Sequence, residues 1–160
     1  MGIPQKMTLG ISPGTRIMGI AILKNSELIE WKIKTFKGRW SALKQHCILA
    51  VIKKVIKQYG IAEIAFKTPD PKRSSKELNR LIAAVKKLAM KNGIEVYSCS
   101  LSDLKCTYSK ATKSELWEHI AVQYPELFFE YQREQKNSNS YYEKIFEAVA
   151  CAKMVTTVET

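Results

Sequence analysis

The stretch Leu9-Gly10-Ile11-Ser12-Pro13-Gly14-Thr15-Arg16-Ile17-Met18-Gly19-Ile20 constrains this chain more than any other. It reads as a short buried strand, a Pro-Gly turn and a second strand running straight back. Pro13 pre-sets φ for a turn and Gly14 supplies the permissive backbone after it, so the chain reverses where Ser12 closes the first strand. Ser12 therefore sits at a strand end, where open α/β sheets place their chemistry.

The pattern Gly10-x-Ser12-x-Gly14 also matches the nucleophile elbow of α/β-hydrolases. An elbow leads into a helix and takes an oxyanion donor from the N–H after the serine; here Pro13 has no N–H and a strand follows. Acyl transfer at Ser12 is disfavoured on both counts, and the plain alternative is a hairpin whose serine bonds its own turn.

Gly10-Ile11-Ser12-Pro13-Gly14-Thr15-Arg16 followed by Met18-Gly19-Ile20-Ala21 resembles the opening of the RuvC and YqgF branch of the RNase H-like superfamily. In that family the third residue is an aspartate that binds the catalytic Mg²⁺. Here it is Ser12.

Twenty-six Lys and Arg against fifteen Asp and Glu give a net charge of +11, which points to a polyanion partner, nucleic acid first. A solvated lysine-rich surface is the plain alternative, and no long apolar span or basic amphipathic N-terminus argues for a membrane. The 160 residues suit a single domain over 1–160 and fall short of the two-domain actin and sugar-kinase fold. Cys47, Cys99, Cys106 and Cys151 show no metal spacing, and Cys47 and Cys151 fall in apolar helical patterns that predict core positions. No signal peptide precedes the first strand, so a reducing, cytoplasmic location is expected.

In chain order, strands are predicted over Met7 to Ile11, Ile17 to Leu23 and the alternating Glu27 to Thr35, an edge strand completing a meander. A helix over Ser41 to Gln58 is predicted to bury Leu43, Cys47, Ala50, Val51 and Val55, and Gly60 stops it. The strand Ile61 to Phe66 follows, then a helix capped by Ser74 or Ser75 with Leu78, Leu81, Ile82, Val85, Leu88 and Ala89 inward, then the strand Ile94 to Ser98. Leu101 to Lys110 reads as a helical turn and loop, Thr112-x-x-Glu115 opens a helix, Glu130 to Ser140 reads as a polar mobile loop, and Tyr141 to Val155 is the last helix. This order, β-β-β-α-β-α-β-α-α, resembles the RNase H-like fold: an α/β domain with a five-stranded mixed sheet, a three-strand antiparallel meander plus two parallel strands, flanked by helices.

The resemblance implies where catalytic carboxylates belong: the ends of the first and fourth strands and the last helix, around two Mg²⁺ ions about 3.5 to 4 Å apart. Carried over residue by residue, these positions are Ser12, Lys67, Lys144 and Glu147, with Phe146-Glu147-Ala148-Val149-Ala150 similar to the family's D-A-x-A segment. Only Glu147 is acidic. Two lysines put positive charge where Mg²⁺ would sit, so the resemblance implies a degenerate centre, no resident metal, and binding of structured or branched DNA as a homodimer. Arg16, Arg39, Lys72, Arg73, Lys76 and Arg80 are the candidate phosphate contacts, against a solvated face as the plain alternative. Two other readings stay open: an active Mg²⁺-dependent, Holliday junction resolvase-like endonuclease with ligands from Glu143, Glu147, Glu63 or Asp70, and a structural assembly subunit.

Overall fold

The structure, a computed structural model, describes residues 5–136 and 141–158. Strands β1 (Met7–Ser12), β2 (Ile17–Lys24) and β3 (Glu27–Thr35) form the meander, and α1 (Ala42–Tyr59) crosses to β4 (Glu63–Lys67). Then come α2 (Lys76–Lys91), β5 (Glu95–Cys99), α3 (Leu101–Thr107), α4 (Lys113–Gln123), α5 (Phe128–Lys136) and α6 (Glu143–Val158). The sheet order is β3-β2-β1-β4-β5, with β1 antiparallel to β2 and parallel to β4. This is the mixed five-stranded α/β sheet expected from the sequence.

Local chemistry sets the helix ends. The Ser41 and Ser75 hydroxyls accept from the N–H groups of Lys44 and Leu78, and Gly60 closes α1 in the left-handed region with φ 62. Period-two alternation splits the sheet between two cores. Leu9, Ile11, Ile20, Ile64 and Phe66 face α1 and α2, while Ala21, Leu23 and Ala65 face α4 and α6.

Three expectations need correction. Helix α1 buries Ile48, Ile52 and Val55, leaving Leu43 at 71% exposure and Cys47 and Ala50 exposed as well. Apolar residues run around most of this helix, so periodicity alone left its phase open. Leu101–Thr107 is a helix opened by a reciprocal Ser100–Asp103 capping box. The segment from 130 is no loop: Phe128–Lys136 is helical, tied to β3 by Trp31 Nε1 donating to Glu130 Oε1 at 2.9 Å. Residues 137–140 of the predicted loop lie outside the described residues.

Helix α6 lies across β1, β2 and β4 unusually closely. A Cβ on Gly10 would run into the Ala148 carbonyl, and one on Gly19 into the Lys144 carbonyl. Gly19 is the cross-strand partner of Ser12, so the first turn of α6 is seated beside the end of β1.

Candidate functional site

Parallel pairing of β1 with β4 runs from Thr8 opposite Glu63 to Ile11 opposite Phe66, so Ser12 and Lys67 are the next positions on the two strands. Alternation turns both toward α6, the face shared by Gly10 and Ala65. One turn beyond the carbonyl seated on Gly19, α6 presents Glu147. The Ser12 hydroxyl donates to Glu147 Oε1 at 3.1 Å, and Lys67 Nζ lies 2.7 Å from Glu147 Oε2. All three are buried, with Ser12 1% exposed, Lys67 8% and Glu147 7%.

The trio opens onto a cleft of about 660 Å³ between the Ser12–Ile17 turn, the Lys67–Pro71 segment and the first turn of α6. Arg16, Lys113, Glu143, Lys144 and Asp70 also line it. Lys113 pairs with Glu143 at 3.0 Å, and Lys144 Nζ donates to the Pro13 carbonyl at 3.1 Å. Asp70 accepts from the Lys72 N–H and so closes the turn after β4. A further carboxylate, Glu134 on α5, reaches the start of α6. Burial raises its pKa, as do nearby Glu143 and Glu147, against the Glu143 N–H and Lys113, which lower it. Beneath the trio, burial and a hydrogen bond with Cys99 hold the Cys151 thiol protonated.

The structure thus brings together Ser12, Lys67, Lys144, Glu147 and Glu143, and places Arg16 on the rim. Lys72, Lys76 and Arg80 are exposed on the adjoining turn and on α2, Arg39 is exposed before α1, and the Arg73 side chain lies outside the described residues. Glu63 is not in the cleft. It opens β4 at the far end of the sheet, where Thr8 Oγ1 donates to it at 2.6 Å and Lys6 Nζ lies 3.0 Å away. Sharing a strand face with Lys67 put it four residues, about 13 Å, from the site. Sequence reasoning missed Lys113 and Glu134. The one hint of Lys113 is a lysine in the first turn of a helix, where the macrodipole disfavours positive charge.

A Mg²⁺ centre needs free oxygen ligands. Here both Glu147 oxygens are engaged, one by a hydroxyl proton and one by an ammonium, and Lys113 holds Glu143. Among the described residues no group of three or more His, Cys, Asp or Glu side chains is placed to hold a metal ion. The donor set present does not fit Mg²⁺.

The chain matches no protein-family model and no curated protein. Among solved structures it is similar to T. thermophilus RuvC in complex with Holliday junction substrate, with TM-score 0.73 and 16% identity over 96% of this chain and 95% of that one. A second Thermus thermophilus RuvC structure gives TM-score 0.73 at 15% identity, again covering 96% of this chain and 95% of that one. The fold is RuvC-like. In that RuvC-like frame the cleft lies where the end of β1, the end of β4 and the start of α6 converge. Among the described residues no helix is long and apolar enough to cross a membrane.

Proposed function

We propose that this RuvC-like domain binds nucleic acid, with structured or branched DNA as the ligand and a homodimer as the working unit, and that an ion pair has replaced its two-metal nuclease centre. The observation that carries this reading is the 2.7 Å approach of Lys67 Nζ to Glu147 Oε2. A buried ammonium occupies the side of Glu147 that a divalent cation would take, and the two cannot share it. Support for the ligand comes from the +11 charge, the basic rim and the likeness to a RuvC bound to a Holliday junction. The cytoplasm suits a chain with four free cysteines and no disulfide.

The test is metal binding. The wild-type protein is expected to show no Mg²⁺- or Mn²⁺-dependent cleavage of junction DNA or RNA–DNA hybrid. The combined variant Ser12→Asp, Lys67→Glu, Lys144→Asp is expected to bind Mn²⁺ in calorimetry, because two positive charges and a neutral group become three hard oxygen ligands beside Glu147. Robust metal-dependent cleavage by the wild type that survives Glu147→Gln sinks the assignment. The second reading, a relocated metal centre, would use Glu143 and Glu147, one turn apart on α6, once released from Lys113 and Lys67; wild-type cleavage abolished by Glu143→Gln selects it. DNA affinity that is unchanged between about 50 and 200 mM salt leaves the assembly-subunit reading.

A further inference from the structure

We propose that Ser12 is the nucleophile of a metal-free phosphoryl transfer in which the chain forms a phosphoserine ester with its substrate. Three groups stand in the order such a site requires: a hydroxyl, a base within hydrogen-bond reach, and a third group that orients the base. Ser12 Oγ donates to Glu147 Oε1 at 3.1 Å, and Lys67 fixes the other carboxylate oxygen at 2.7 Å. Ser12 is among the residues that line the 660 Å³ cleft, together with Glu143, Lys144 and Glu147 of α6, so the cleft is the side from which a substrate approaches it.

The same geometry decides between acyl and phosphoryl chemistry. Attack on a carbonyl concentrates charge on one oxygen that needs a fixed N–H donor, and the residue after Ser12 is Pro13, which has none. Attack on the phosphorus of an ester gathers charge on its non-bridging oxygens, two of them in a diester, which cations stabilise. Arg16, Lys113 and Lys144 line the cleft around the serine. The substrate class is therefore a phosphate ester, and a diester where the ligand is a nucleic acid strand. That the ester belongs to a nucleic acid strand rests on the function proposed above; the chemistry at Ser12 does not.

In the step itself, the Ser12 oxygen forms a bond to phosphorus while one phosphorus–oxygen ester bond breaks. Glu147 Oε1 takes the serine proton and returns it, through water in the cleft, to the departing oxygen. A hydroxyl and a diester thus become a phosphoseryl diester and an alcohol, with no oxidant, reductant or metal consumed. Attack on the adduct by a second strand hydroxyl rejoins two ends, and attack by water releases a phosphate end.

The experiment incubates the full chain in EDTA with four-way junction DNA labelled at either strand end, and separately with bis(p-nitrophenyl) phosphate. Wild type is expected to give a labelled covalent adduct that survives denaturing electrophoresis and maps by mass spectrometry to Ser12. The small ester is expected to give a stoichiometric burst of p-nitrophenolate. Ser12→Ala abolishes both, and Glu147→Gln slows both about 10²-fold or more. Thr8→Ala, which breaks the similar trio at the other end of the sheet, leaves both unchanged, so a merely destabilised fold cannot mimic the result. Neither adduct nor burst, or an adduct that persists in Ser12→Ala, overturns the proposal. A gel shift on the same samples separates the two readings: DNA retained without adduct or burst leaves the binding function standing, and a burst without DNA retention removes nucleic acid as the ligand but keeps the chemistry.

Discussion

Two ends of the same pair of strands carry nearly the same three groups. At one end Thr8, Glu63 and Lys6 form a hydroxyl–carboxylate–ammonium trio; at the other Ser12, Glu147 and Lys67 do. The first is made almost entirely within the sheet, since Thr8 and Glu63 are direct register partners, and Lys6 reaches it with a side chain 38% exposed. The second is assembled from β1, β4 and α6, shuts its lysine away at 10% side-chain exposure, and opens onto a cleft. The difference teaches that a trio of side chains is not a site until separate elements meet around it and leave room for a ligand.

The largest effect that sharpens this contrast is on stability. Lys67→Met leaves Glu147 buried without its counter-charge and is expected to cost about 3–5 kcal/mol in urea unfolding. Lys6→Met also strips a buried carboxylate, since the Glu63 side chain is 0% exposed, but the ammonium lost is partly solvated and Thr8 still donates to Glu63, so a smaller loss of about 1–3 kcal/mol is expected. Equal losses would break the comparison. Next comes packing: Gly19→Ala pushes the Lys144 carbonyl and the first turn of α6 off the sheet, costing about 1–3 kcal/mol. It weakens DNA binding at the cleft end while amide exchange around Thr8 and Glu63 stays native.

A smaller effect concerns phosphate binding. Reversing Lys76 and Arg80, exposed in the first turns of α2 near the cleft, lowers DNA affinity and flattens its salt slope by about 0.9 for every phosphate no longer neutralised. Reversing Lys57, at the end of α1 that leads into Glu63, does neither; equal effects from both reversals would make the binding a diffuse property of net charge. The smallest effect is on pH. The Glu134 pKa is raised in the fold, so the native chain holds that proton more tightly than the unfolded one. Its contribution is lost as pH rises through the window above the ordinary value of 4.5. Glu134→Gln is expected to flatten the stability profile in that window, as read by thermal melts at closely spaced pH values.

The frame of the molecule was legible because its signals are local. Pro13-Gly14 set the first hairpin, Gly60 and Ser75 set helix ends, and the stripe from Leu78 to Ala89 set the face of α2. Ser12, Lys67 and Glu147 could be brought together only through the resemblance, since nothing within ten residues of any of them points to the others. Lys113 and Glu134 escaped because their roles come from how α4 and α5 pack against the start of α6, a tertiary fact with no periodic trace. Glu63 misled for a related reason: a strand face is shared along its whole length, and alternation says nothing of which end holds the cleft.

The bare backbone at Gly10 and Gly19 has a consequence for engineering. Because α6 is seated on main chain rather than on side chains, the spacing between the ends of β1 and β4 and the helix is set before any residue at positions 12, 67 or 147 is chosen. Those three positions are then fittings on a fixed mount, to be exchanged as a charge-balanced set. A designer who keeps both glycines and the charge balance can exchange hydroxyl, ammonium and carboxylate for imidazole, thiolate or further carboxylates, and change the chemistry offered to the cleft without redrawing the scaffold.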